Sequence, residues 1–120
     1  MPSPIDKTVF ESLKELDEDN AGFLREVIET FLEHSRPQLD ALREATGVGD
    51  ATRIERSAHK LKGGCGAIGA YPLMELCGQL ELAARESSLA DAGERFLTVE
   101  AEFQLVVAAL ERELRAHGDD

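Results

Sequence analysis

Tryptophan is absent from this chain and tyrosine occurs once, at Tyr71. With few aromatics, only modest proline and glycine, and Leu, Ala, Glu and Arg dominant, the composition favours helices over strands. Cysteine is scarce too. Cys65 and Cys77 both fall at apolar-periodic positions, which reads as reduced thiols in a core rather than a bridge or a metal site. No stretch reaches the roughly 18 apolar residues that span a bilayer. Met1-Pro2-Ser3-Pro4-Ile5-Asp6 lacks the charged and apolar regions of a secretory leader, so a cytoplasmic chain is expected. Basic residues are outnumbered, 13 Lys and Arg against 24 Asp and Glu, for a net charge of −11 and a pI near 4.7. Such a field repels nucleic acid and anionic membranes, and neither is an expected partner.

What remains is a helix-forming sequence of 120 residues, room for one domain over residues 1–120 with a core of its own. Ile5, Val9, Leu13 and Leu16 recur at helical spacing after Pro4 and predict a short first helix over 5–16, which the acidic run Asp17-Glu18-Asp19-Asn20 should end. Asn20 or Asp19 then suits the N-cap of a second helix with the seam Leu24, Ile28, Phe31, Ser35, Leu39 and Leu42. Pro37 lies inside that run and predicts a long helix with a bend. Gly47-Val48-Gly49-Asp50 reads as a linker, with Asp50 capping a third helix whose seam is Ile54, Ala58, Leu61, Cys65 and Ile68. That helix either stops at Gly63-Gly64 or runs on to about Ile68 at a cost of roughly 1 kcal/mol per glycine. The periodic Cys65 and Ile68 favour continuation. Pro72 fits the first turn of a fourth helix with Leu73, Leu76, Cys77, Leu80 and Ala83 inward, and a loop falls near Ser87-Ser88. Phe96, Val99, Phe103, Val106, Leu110 and Leu114 line a last helix from about Asp91 to Arg115. The expected architecture is all-α: an antiparallel up-and-down four-helix bundle with a short extra N-terminal helix.

The segment Ser57-Ala58-His59-Lys60-Leu61-Lys62-Gly63-Gly64-Cys65-Gly66 concentrates the chemistry. His59 lies one residue, roughly 100°, off the apolar seam, and Lys62, Gly63 and Gly66 share its stripe. An exposed imidazole beside a cation and bare backbone is expected. Arg53, Arg56, Lys60 and Lys62 face only Glu55 in the stretch 53–62, a local +3 that attracts anions. Neutral imidazole attacks phosphoryl donors, and its ordinary pKa of about 6.5 leaves a good share neutral at cytoplasmic pH. Lys62, one turn on, can reach the phosphoryl oxygens and offset their charge. His34 and His117 read as merely solvated.

Metal chemistry is not expected. Arg56 stands three residues before His59 and Phe31 three before His34, so the Glu-x-x-His pairs of a di-metal bundle do not occur. No histidine follows another at four residues, and neither a Gly-x-Ser-x-Gly elbow nor a Walker-type phosphate loop is present. Nothing supports an autonomous active site.

Ala58-His59-x-Leu61-Lys62-Gly63, then Ile68-Gly69-Ala70, then Leu73, Leu76, Cys77 and Leu80-Glu81, resembles the histidine-containing phosphotransfer (HPt) domain of multistep two-component relays. As a constellation over residues 58–81 the resemblance is specific, and the surrounding helices extend it over nearly the whole chain. It implies that His59 is the phosphorylated residue and Lys62 the partner of the phosphoryl group. Gly63 would let a receiver domain approach, on a surface with Arg56, Lys60 and Gly66. Glu81 occupies the family position beside the imidazole and either orients the ring or is an ordinary exposed helix glutamate. The implied role is a phosphocarrier without catalytic activity of its own, which takes the group from a receiver aspartate and passes it to another. Its partners would be response-regulator receivers and a hybrid sensor histidine kinase. No cofactor is implied here, Mg²⁺ being expected on the receiver, and a monomer is expected. A binding or adaptor module of the same fold that carries no phosphate stays open, as does whether the chain is free-standing or a fragment of a larger kinase.

Overall fold

The structure, a computed structural model, describes residues 3–117. Its helices are α1 (Lys7–Asp19), α2 (Phe23–Val48), α3 (Ala51–Cys65), α4 (Tyr71–Arg85) and α5 (Ala92–Ala116), with a short 3-10 turn at Gly66–Ile68 between α3 and α4. Among the described residues there is no strand.

Short connections force consecutive helices to run antiparallel. α3 packs against α2 and α4, and α5 against α4 and α2, so these four close a ring around one core. The predicted seams face that core. Leu24, Ile28, Leu42, Ile54, Ala58, Leu61, Leu73, Cys77, Leu80, Val99, Phe103, Val106 and Leu110 are buried, and Phe31 stacks on Phe103 with ring centroids 6.2 Å apart. Each such large apolar side chain contributes on the order of 1.5–3 kcal/mol by leaving water. Leu76 and Leu114 are half-buried at the edge of the cluster. Cys65 and Cys77 are free and buried, and burial pushes the Cys65 thiol up to about 12 and the Cys77 thiol further still. Both are core residues. No helix among the described residues is long and apolar enough to cross a membrane.

Three local expectations need correction. α1 does not end at Leu16 but runs through the acidic residues to Asp19, and Leu16 is exposed. Neither Asn20 nor Asp19 caps α2. Its N-cap position is Gly22, which has no side chain to offer, and Asp17 on α1 supplies the carboxylate instead, accepting from the Leu24 N–H at 2.9 Å. α2 runs as one long helix through Pro37, as expected, with the ring facing solvent, but it continues to Val48, so Gly47 and Val48 are its last residues rather than linker and Gly49 is the residue that turns left-handed, at φ 69°. Asp50 does cap α3, accepting from the Arg53 N–H at 3.2 Å.

His117 and His34 are not merely solvated. His117 Nε2 lies 2.7 Å from Asp17 Oδ2, so one carboxylate caps α2 and ties the end of α5 to α1. The Leu24 N–H first, then His117, hold the Asp17 carboxyl below its ordinary range. His34 Nε2 meets the Lys60 carbonyl at 3.1 Å, a link between α2 and α3.

The uncertain end of α3 is settled by geometry. Gly63 and Gly64 lie inside the helix, and Gly69 is the residue that turns left-handed, at φ 69°. α1 docks on this turn: the Asp6 N–H donates to the Gly69 carbonyl at 2.9 Å. A Cβ at Gly69 would sit 2.9 Å from Asp6 Cβ and 3.1 Å from Asp6 N, whereas one at Gly66 would meet only Met74 Cε at 3.5 Å. Gly69→Ala is therefore expected to cost about 1–3 kcal/mol through backbone strain and displacement of α1. Gly66→Ala should cost far less. Urea denaturation of both variants checks this, and equal midpoints would mean that the docked turn carries no stability.

Candidate functional site

His59 projects from the middle of α3 with its side chain 67% exposed. Its seam neighbours Ala58 and Leu61 are buried, which fixes the helix's rotation and leaves the imidazole outside. One ring nitrogen is engaged: Nδ1 lies 2.7 Å from Glu81 Oε2 across the α3–α4 interface. A carboxylate accepts, so Nδ1 carries the proton, and the neutral ring presents its lone pair on Nε2, toward solvent.

Glu81 is no ordinary exposed glutamate; its side chain is 7% exposed. Lys62 Nζ donates to Oε1 at 2.5 Å, and Arg85 Nη2 to Oε2 at 3.3 Å. Burial pushes the Glu81 carboxyl up, but the hydrogen bonds from Lys62 and His59 outweigh it and hold the group below the ordinary carboxylate range. The charge is thus kept at neutral pH, inside the protein, where it acts strongly on the ring.

Lys62 is where α3's periodicity puts it, one turn from His59, yet its ammonium rests on Glu81. Because it is half-buried and holds a buried carboxylate, it contributes to stability more than a free surface lysine would. The basic stretch is also partly neutralised. Arg53 lies 3.6 Å from Glu44, while Arg56 and Lys60 form no ion pair among the described residues and line the depression beside His59 with Thr52, Glu55 and Arg85.

The glycines divide by role. Gly63 faces open space, with nothing within 4 Å of a would-be Cβ, so the surface one turn past His59 is flat. Gly66 is half-buried under Met74. Gly64, which sequence reasoning did not single out, lies against α2: a Cβ there would come within 3.3 Å of His34 Cδ2 and 3.7 Å of Phe31 Cδ1. Arg85 and Glu55, joined at 3.4 Å, were also missed. The signal for Arg85 was available, since it stands four residues after Glu81 on one helix face. On the α2 side, Phe23, Val27, Phe31, Gly64 and Ala67 line an apolar groove with His34 at its margin. Among the described residues no cluster of His, Cys, Asp and Glu could hold a metal ion.

Fold and site together define a helical-bundle module that presents on its surface a histidine oriented by a buried carboxylate. Residues 26–116 match the Hpt domain family, and the chain belongs to that family. Its role lies in phosphotransfer within two-component signalling, where Hpt domains partner with histidine kinases and response-regulator receivers. The fold is similar to the crystal structure of histidine-containing phosphotransfer protein B (HptB) from Pseudomonas aeruginosa PAO1, with TM-score 0.84 and 31% identity over 97% of this chain and 98% of that one. A segment of 58 residues is 36% identical to sensor protein TorS of Escherichia coli strain K12, taking in 48% of this chain and 6% of TorS.

The lowered Glu81 carboxyl gives the site a pH signature. In the unfolded chain Glu81 titrates near its ordinary value of about 4.3, so its contribution to stability is complete above that pH and is lost as pH falls through the lower folded value. Glu81→Gln should lower stability at pH 7 by about 1–2 kcal/mol and flatten the acid limb of a stability-against-pH curve. Asp17 keeps some of that limb in both proteins. Parallel curves for parent and variant below about pH 5 would show that Glu81 titrates alike in both states.

Proposed function

We propose that the chain is a phosphorelay intermediate in which His59 Nε2 takes a phosphoryl group from a receiver-domain aspartate and returns it to the aspartate of another receiver. The observation that carries this reading is the contact of an exposed imidazole with a buried, ionised carboxylate at 2.7 Å. The Nε2 lone pair attacks phosphorus, the N–P bond forms as the aspartyl O–P bond breaks, and the aspartate departs as a carboxylate. Nδ1 keeps its proton throughout. The ring becomes a phosphoimidazolium whose positive charge Glu81 offsets, and that cationic ring is a good leaving group for the reverse step. One arrangement thus serves acceptance and donation.

Lys62 supports this by fixing Glu81, and it can move to the phosphoryl oxygens when they arrive, since both positions lie within one turn of His59. Arg56 and Lys60, which form no ion pair among the described residues, offer cations on the same face. The open backbone at Gly63 and the apolar groove on the α2 side supply room and contact area for a receiver. On this reading the protein is a carrier rather than an enzyme. It works as a single 1–120 domain and a monomer in the cytoplasm, with Mg²⁺ and the remaining catalytic carboxylates on the receiver and with no nucleic-acid or membrane partner.

Incubation with a phosphorylated receiver tests it. Label is expected on this chain, acid-labile and alkali-stable, and absent from His59→Gln. A complex that forms without label would instead mean a docking module. Lys62→Ala should transfer more slowly or hold phosphate for a shorter time, and lose about 1 kcal/mol of stability because Glu81 loses a donor.

Gly63→Gln separates docking from folding. Because Gly63 is mid-helix with open space around it, the substitution should raise stability by several tenths of a kcal/mol while slowing receiver-dependent transfer. Thermal melting and transfer kinetics on one sample decide, and an unchanged transfer rate would remove Gly63 from the partner surface.

A further inference from the structure

Glu81 Oε2 is shared. It accepts from His59 Nδ1 at 2.7 Å and from Arg85 Nη2 at 3.3 Å, while Lys62 has Oε1 to itself at 2.5 Å. Arg85 also reaches back to α3, its Nε lying 3.4 Å from Glu55 Oε1, one turn before His59. Its guanidinium therefore spans the depression in which the ring sits. We propose that Arg85 is a positioning residue that sets how strongly Glu81 draws on the His59 ring, and thereby the pH range over which Nε2 holds a free lone pair.

A carboxylate oxygen divided between two donors is a weaker acceptor for each, and a neighbouring guanidinium disfavours a second positive charge on the imidazole. Both effects favour the neutral ring. From α3 the groups near it are Glu55, Arg56, Lys60 and Lys62, from α4 Glu81 and Arg85, and from α2 His34 on the Lys60 carbonyl. Among these, Arg85 is the cation that competes with His59 for Oε2. Glu55 opposes it by drawing the guanidinium away. Without Arg85, Oε2 belongs to the imidazole alone, the doubly protonated ring gains, and the nucleophile is lost at a higher pH. The meaning of this for transfer rests on the phosphocarrier reading, but the measurement below does not.

Diethyl pyrocarbonate acylates an unprotonated ring nitrogen, an N–C bond forming as ethyl carbonate departs to give carbon dioxide and ethanol. Its rate at His59, followed peptide by peptide by mass spectrometry between about pH 5 and pH 8, reports the free lone pair. His34 and His117, outside the Glu81 network, serve as internal references. In Arg85→Ala the acid limb at His59 should move up by about half a pH unit, so that the rate at about pH 6 falls roughly twofold. Arg85→Lys should move it less, and Glu55→Gln, which releases the guanidinium toward Oε2, should move it down. In a Glu81→Gln background Arg85→Ala should move it clearly less, because only the direct effect of the guanidinium charge survives. Arg85 is 58% exposed, and circular dichroism verifies that each variant is folded. An acid limb that stays in place in Arg85→Ala overturns the proposal. So does an equal shift in the Glu81→Gln background, which would make Arg85 a bare surface charge acting directly on the ring. Failure of the phosphocarrier reading is a separate result: no label from a phosphorylated receiver, whatever the acylation profile.

Discussion

A carboxylate held out of water at the α3–α4 interface is the constraint on which the site depends. Removing an ionised glutamate from solvent costs several kcal/mol unless donors replace the lost water. Glu81 has three, from His59 and Lys62 on α3 and from Arg85 on its own helix. Each satisfies the charge only if α3 and α4 keep their rotation and register. The apolar packing of Ala58, Leu61, Leu73, Cys77 and Leu80 supplies that rigidity. An apolar pair of similar volume would stabilise the interface as well or better, so what the buried charge adds is orientation: one tautomer, one ring face, one nitrogen outward.

The legible part of the molecule was the part set by periodicity. Seams at helical spacing located the bundle and its core, and the one-residue offset of His59 from its seam was enough to place it on the surface. Local capping chemistry was legible where the cap is local, as at Asp50. It failed at α2, whose capping carboxylate comes from Asp17 on the preceding helix, a partner that only the folded chain brings near. Residue type misled in the same way for His117 and His34, whose partners lie far along the chain. Glu81 marks the boundary most clearly. Its family position pointed to the imidazole, but whether it was buried depended on how α4 rotates against α3, and no pattern around residue 81 states that. Gly63 and Gly64 differ likewise: adjacent in sequence, one faces open space and the other lies against α2.

The cationic stretch also changes meaning once it is folded. Read as sequence it is a local +3 that should draw anions from a distance. In the structure Arg53 is turned to Glu44, and Lys62 and Arg85 are committed to Glu81 and Glu55. Arg56 and Lys60 remain, against a molecule of net −11. At physiological ionic strength a field is screened beyond about 8 Å. Two such cations cannot overcome the overall repulsion of an acidic partner at long range, but they act fully once surfaces touch. On the proposed phosphocarrier reading, recognition at His59 is therefore a matter of contact, with the open surface at Gly63 and the apolar groove beside α2 as the surfaces offered.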